Sequence, residues 1–360
     1  MDGPVKIGVL TFHRCINYGS YWQARCLVEG LGALGHRAEL LDHASARVDR
    51  AEWRCALRPV PGQTGDRAAY RRKMLRFFQA FATLPLSPRF PLDAPRFMDE
   101  YEAIVVGSDE VWNLSHPWYG GVPLFYGQGL RTQRALAYAA SFGHHDTSSG
   151  LDPAWARRLR GFEAIAVRDE ASRALVAAAI GADVDVVLDP CLAFPPGFDA
   201  YESRTEEHAY VALYGHGFSS GFANAVRGWA HRRGLPIVSI GYRNDWADRQ
   251  WIEAGPLEFA PFIANADAVV TNFFHGCVFA LRHRRPFVCE ASWYRGTKLR
   301  CLMQQVGGER HLLAPAMTPD DIAGVLDVPI SACVDARIER LRLASREFLR
   351  EAVLAQAAVS

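Results

Sequence analysis

The stretch VKIGVLTF (5–12) is a short apolar, β-rich run. It is followed by YWQARCLVEGLGALGH (21–36), whose apolar residues recur at helical spacing up to a glycine stop, and then by strand-like AELLDH. Strand, helix, strand at this spacing opens a parallel α/β unit, because two parallel neighbours need a crossover that a helix supplies. The pattern recurs in EAIVVGSDEVWN (102–113), RALAYAASFG (134–143), EAIAVRDEASRALVAAAIG (163–181) and VDVVLDPCLAF (184–194). Each apolar run ends in a polar or glycine-bearing turn. The carboxyl ends of parallel strands line the crevice of an open sheet, so Ser108, Asp109, Ser141 and Arg168 become candidates for one shared surface.

A stretch rich in proline, glycine and charge, FPPGFDAYESRTEEH (194–208), separates this series from a second one. Strand-like AYVALYG, helix-like GFANAVRGWAHRRG, strand-like PIVSIGY and helix-like PLEFAPFIANA then lead into TNFFHGCVFALRHRRPFV (271–288). A chain of 360 residues also exceeds the usual size of one domain. The expected fold is therefore α/β with two Rossmann-like domains, residues 1–197 and 198–335, each with its own core. An irregular, proline-punctuated insertion over the first domain is expected at 47–98. A long amphipathic helix within 336–360 is expected to pack back on the first domain.

Forty basic residues balance thirty-nine acidic ones, for a formal charge of +1, so no global field gathers nucleic acid or an anionic membrane. Any anion site must be local. The segment DRAAYRRKMLRFF places Arg72, Lys73 and Arg76 beside Phe77 and Phe78, which fits either peripheral contact with lipid headgroups or a solvated helix face. The eight cysteines are scattered, with no C-x-x-C pair and no metal-type Cys/His spacing, which is the pattern of reduced thiols in a cytoplasmic protein with no metal. The first residues lack the features of a signal peptide.

Several turns carry residue types that chemistry needs. ADAVVTNF is expected to be a buried strand and GCVFALRHR a helix whose first turn begins at His275 and Gly276. A helix start offers unpaired N–H groups and a positive dipole end, which suits a phosphate or carboxylate. An imidazole beside that anion is an acid or base near neutral pH, or else simply a cap. The loop HRCINYGSYWQ (13–23) contributes Asn17, Gly19 and Ser20, residue types that suit a substrate loop or an ordinary turn and N-cap. It is not G-x-G-x-x-G, so a dinucleotide is not indicated. In GSDEVWN, Asp109 suits a hydroxyl and Trp112 either a sugar face or the core. Arg168 in VRDEAS suits a bidentate grip on phosphate or carboxylate, or a surface pair with Asp169 or Glu170. YGHGF (214–218), with His216, is a further glycine-rich turn able to admit an anion.

Taken in order, NYGSYWQ, GSDEVWN, YAASFG, VRDEAS, VLDPCLAF and TNFFHG resemble the polysaccharide pyruvyl transferase family over about residues 5 to 312. The resemblance implies a fold similar to the GT-B glycosyltransferases, with the active site in the cleft between two domains. It implies phosphoenolpyruvate as donor, no further cofactor, and a sugar or small-molecule hydroxyl acceptor that ends as a pyruvate ketal. His275 is then the acid/base and Arg168 a donor ligand, with Lys298 and Arg300 of GTKLRCL completing the anion cradle. The sequence departs from the family pattern at Phe273, where several branches carry arginine, and at Glu110, where glutamine is usual. Two other readings stand beside this one. The first is glycosyl transfer from a nucleotide sugar, for which Glu290 is the nearest acidic candidate to hold ribose; the second is a non-catalytic binding subunit.

Overall fold

The computed structural model of the chain describes residues 3–59, 62–96, 98, 100–132, 134–145, 150–195, 209–291, 296–313 and 317–355. The domain boundary expected at 197/198 lies outside the described residues. Two six-stranded sheets organise the molecule, and every pairing in them is parallel. The first has the spatial order Arg37–Leu40, Lys6–Leu10, Ala103–Val106, Ala135–Ala140, Ala164–Val167, Asp185–Val186. The second runs Arg249–Trp251, Ile237–Ile240, Val211–Tyr214, Ala268–Thr271, Phe287–Glu290, Leu312–Leu313. Their central strands are buried along their whole length, which is why they read as unbroken apolar runs and not as alternating ones.

Each order reverses at one place. In the first sheet the chain turns outward from Lys6–Leu10 to Arg37–Leu40 and then returns to Ala103–Val106 on the other side. In the second the reversal lies between Val211–Tyr214 and Ala268–Thr271. Crevices open beyond the carboxyl ends of strands at such switch points. From the loops there, Phe12, Asn17, Asp109 and Glu110 of the first half and His216 of the second line one cleft, with His275 just beyond the last strand end.

Each half has an apolar cluster of its own, and a third is shared between them. The main apolar cluster runs through both halves, joining Ile7, Val9, Trp22 and Tyr138 to Tyr214, Ile240, Phe259 and Val269, while smaller clusters fill the outer layer of each sheet. The first helix, Tyr18–Ala33, carries the junction. Tyr18 stacks on Phe259 at 4.5 Å and its hydroxyl donates to the Ala254 carbonyl at 2.6 Å; the Trp22 indole N–H donates to the Pro256 carbonyl at 2.9 Å.

The insertion lies over the first half, where Glu52 accepts from the Ile16 N–H, and it also reaches the second. It forms two helices, Ala46–Leu57 and Arg67–Phe81. The second bridges to the other half instead of lying over the first alone. Lys73 is buried and donates to the Gly241 carbonyl at 2.8 Å, while Arg72 and Arg76 pair with Glu253 and Glu258. The basic stretch thus faces protein carboxylates and a carbonyl. The tail forms helix Ala332–Leu354, seated on the first half by Ser345, which accepts from the Leu188 N–H, and by Arg342, which donates to the Leu192 carbonyl. Among the described residues no helix is long and apolar enough to cross a membrane.

Candidate active site

The facing switch points enclose a cavity of about 450 Å³, a size that suits a small ligand. Its walls come from both halves. Asn17, Ser20, Asp109, Glu110 and Arg168 contribute from the first; His216, Tyr242, Phe274, His275 and Lys298 contribute from the second; the insertion adds Glu52, Cys55, Tyr70 and Lys73.

His275 stands in the first turn of helix Phe274–Arg282, which starts one residue earlier than the sequence suggests. Thr271, the last residue of the preceding strand, shapes this turn. Its hydroxyl donates to the Tyr214 carbonyl at 2.6 Å and accepts from the Phe273 N–H at 3.1 Å. A Cβ on Gly276 would lie 2.0 Å from that hydroxyl oxygen, so the glycine lets the helix start directly over the strand end. The imidazole Nε2 then sits 3.5 Å from Asp189 Oδ2, an ion-pair distance, and makes no hydrogen bond of good geometry. That leaves it open to a tighter contact when a ligand arrives.

Asp189 is the hinge of the site. It caps the short helix Pro190–Ala193 through the Cys191 N–H at 3.0 Å, and its Oδ2 also meets Arg168 Nη1 at 3.4 Å. Burial alone would raise this carboxyl, but His275 and Arg168 overcome it and hold it at about 2. Arg168 is buried between Asp189 and Asp109, whose Oδ1 lies 3.0 Å from Nη1, and its guanidinium stacks 4.4 Å over the Phe274 ring. Burial disfavours its charge; the two carboxylates more than restore it. A fixed guanidinium beside a mobile proton carrier can bind an anion and protonate it in one place.

A second ion pair joins the two halves at the cleft. Lys298 Nζ in helix Gly296–Val306 reaches Glu110 Oε1 at 2.5 Å, and Asn113 donates to Oε2 at 2.8 Å. Burial opposes the Glu110 charge, but Lys298, His144 and Arg168 hold the carboxyl well below its usual range. The unusual glutamate therefore neutralises the lysine expected to face an anion. Phe273, in place of an arginine, packs its ring 4.9 to 5.5 Å from Tyr214, His216 and Tyr242.

The sequence candidates divide. Asn17, Ser20, Asp109, Arg168, His216, His275 and Lys298 all line the cavity. Asn17 also caps the first helix, accepting from the Gly19 and Ser20 N–H groups at 2.8 and 3.3 Å. Gly19, Ser108, Ser141 and Arg300 are not among the lining residues. Gly19 lies beneath the His275 ring. Ser108 is fully buried with its hydroxyl on Gln23. Ser141 is fully buried with its hydroxyl on Asp169 at 2.6 Å. Arg300 follows Lys298 by two residues, about half a turn round the helix, and is exposed beside Thr297. Asp189, Lys73 and Glu52 were not site candidates in the sequence. Only Asp189 left a signal, as the Asp-Pro start of a helix after a strand.

Asp189, Cys191 and His275 place one ligand-type atom each within 4.8 Å of one another. The set does not fit a cation well. Arg168 already occupies the Asp189 oxygen that faces His275, and burial pushes the Cys191 thiol far from its thiolate form.

Among solved structures, the chain path is similar to that of UDP-GlcNAc 2-epimerase from Methanocaldococcus jannaschii, at 10% identity and a TM-score of 0.48, covering 94% of this chain and 99% of that one. It is also similar to the glycosyltransferase SnogD from Streptomyces nogalater, at 13% identity and a TM-score of 0.46, covering 98% and 100%. No curated protein matches. The polysaccharide pyruvyl transferase family model matches residues 17–294, which include the cleft from Asn17 to His275, and the chain belongs to that family.

Proposed function

We propose that this chain transfers the pyruvate group of phosphoenolpyruvate to two hydroxyls of a sugar or sugar-like acceptor, releasing phosphate. The observation that supports the reading is the Arg168–Asp189–His275 chain of contacts, which sets a fixed guanidinium and an imidazole with an unbonded Nε2 side by side in the lining of one cavity. Arg168 and Lys298 bind the donor's phosphate and carboxylate, with Asn17, Ser20 and His216 as further contacts. His275 protonates the methylene carbon. The cationic character that develops at the central carbon draws the first acceptor hydroxyl, and a C–O bond forms as that hydroxyl loses its proton. The second hydroxyl then displaces phosphate, and its proton leaves with the phosphate. Proton donor and cations come from side chains, so the step needs no metal in principle.

Glycosyl transfer from a nucleotide sugar is less well supported. Glu290, the acid available to hold a ribose, is buried at the end of Phe287–Glu290 and accepts from both the N–H and the hydroxyl of Ser219, the cap of helix Ser220–Arg233. It is committed to the fold.

The test is calorimetric binding of phosphoenolpyruvate and of a set of nucleotide sugars to wild type, Arg168→Lys and Arg168→Ala, followed by assay of phosphate release with methyl glycosides. Binding of phosphoenolpyruvate that weakens in both variants supports the reading. Binding confined to a nucleotide sugar overturns it.

A further inference from the structure

Among the described residues, three carboxylates line the cavity: Glu52, Asp109 and Glu110. Two are neutralised, Asp109 by Arg168 at 3.0 Å and Glu110 by Lys298 at 2.5 Å. Glu52 differs. It is only 5% exposed and has no basic partner among the described residues; its Oε1 accepts from the Ile16 N–H at 2.6 Å. A carboxylate held by a cation is a weak base, whereas one in a poorly solvated wall without a cation takes a proton readily.

Its surroundings fit a hydroxylated ring. Phe12, His116 and Trp118 line the cavity with it, as do Cys15, Cys55 and Ala56. Aromatic faces and a lone acceptor oxygen are what a sugar needs from a site. The donor groups Arg168, His275 and Lys298 stand on other elements of the same cavity.

We infer that Glu52 is the base that accepts the proton of the attacking acceptor hydroxyl, and that the acceptor is an uncharged glycoside, carrying no phosphate or carboxylate of its own. The inference rests on the pyruvyl-transfer reading. In the first step the acceptor oxygen bonds to the central carbon of phosphoenolpyruvate, the O–H proton passes to Glu52, and His275 supplies the proton that makes the methyl group. Phosphate leaves in the second step. Solvent then takes the proton from Glu52 and restores that of His275. An anionic acceptor would meet the Glu52 charge in a poorly solvated wall and be repelled.

Burial raises the Glu52 carboxyl to about 7, with the Ile16 N–H and Cys15 acting in the opposite sense and Asp49 reinforcing it. Tyr119 and, through Cys15, Asp109 are further titratable groups set against this cluster.

The alternative is that Glu52 merely anchors the loop before the first helix, and substitution separates the two. Glu52→Gln keeps an oxygen for the Ile16 N–H but removes the base; Glu52→Ala removes both. Wild type and both variants are titrated with phosphoenolpyruvate by calorimetry. Phosphate release is then followed with methyl β-galactoside and with galactose 1-phosphate, which share ring hydroxyls and differ in charge. The expected result is unchanged donor affinity in Glu52→Gln, a fall in turnover of about 100-fold, loss of the rise in rate near pH 7, and preference of wild type for the galactoside. Glu52→Gln with full turnover makes the residue an anchor and overturns the base. Faster reaction of galactose 1-phosphate, or donor binding without release of the donor's phosphate in the presence of any neutral glycoside, overturns the acceptor class. Wild type that binds no phosphoenolpyruvate removes the pyruvyl-transfer reading, and this inference falls with it.

Discussion

The imidazole of His275 occupies the space that a side chain at residue 19 would need: a Cβ placed on Gly19 falls 2.0 Å from His275 Nδ1. The two residues belong to different halves of the molecule, so the first turn of one helix sets where the histidine of another can stand. Gly19→Ala is expected to displace the ring, lower the melting temperature by a few degrees, as overpacking costing about 1–3 kcal/mol does, and reduce phosphate release about as far as loss of His275 itself. Melting curves and turnover check this; an alanine variant with wild-type turnover would show that the ring position does not matter.

Replacing His275 by asparagine removes the proposed proton donor while preserving much of its volume. Turnover should fall by about 10²–10⁴-fold, with calorimetric affinity for phosphoenolpyruvate nearly unchanged because Arg168 and Lys298 remain. Equal loss of binding and rate would assign His275 to donor binding alone.

Asp189→Asn should be the most destabilising single change in the site. It leaves the buried Arg168 with Asp109 alone and His275 without its carboxylate. Breaking a buried pair on one side costs about 3–5 kcal/mol, which urea unfolding at pH 7 measures. The wild-type contribution has a sign that can be checked. With the folded value held at about 2, below the ordinary 3.8, it is complete above about pH 4 and disappears as the pH falls towards 2. The gap between wild type and variant should close over that window.

Glu110→Gln restores the residue usual in the family and frees Lys298 from its 2.5 Å ion pair. An unneutralised lysine at the cavity wall should tighten phosphoenolpyruvate binding by about tenfold, ~1.4 kcal/mol. Calorimetry at two salt concentrations checks this. Unchanged affinity at low salt would mean that Lys298 does not touch the donor.

Lys73 carries a pH dependence of the opposite kind to Glu52. Burial lowers its ammonium from 10.5 to about 7. The unfolded chain therefore holds a proton that the folded one has released, and stability rises as the pH goes from about 7 towards 10. Lys73→Met should be more stable than wild type at pH 7, with the difference shrinking by pH 9.5. Urea midpoints at the two pH values test it; a constant difference would mean that Lys73 stays charged in place.

Much of the fold was legible because each strand of the parallel sheets is an apolar run and each crossover helix a periodic one, patterns that local sequence carries. The turns at strand ends were legible too, and Arg168, Asp109 and His275 came from them. Less legible were the roles of residues whose partners are distant in the chain. Ser108 and Ser141 looked like surface groups, yet Gln23 and Asp169 bind them inside the protein. The basic run around Lys73 looked like a solvated or lipid-facing helix. One face of it is solvated, with Leu75 and Phe78 exposed, and the other carries Lys73 to Gly241, 168 residues away.

The amino-acid sequence by itself determined the α/β class and the strand-end loops, because periodicity and turn chemistry act over a few residues, while the histidine and arginine among those loop residues were singled out by the order of the family motifs. Tertiary structure alone decided that Asp189 joins Arg168 to His275, that Glu110 neutralises Lys298, that Gly19 makes room for the imidazole, and that Glu52 lines the cavity without a cation. Those relations depend on which strands lie side by side and how two sheets face each other. Packing of the whole chain sets that geometry, and no local stretch encodes it.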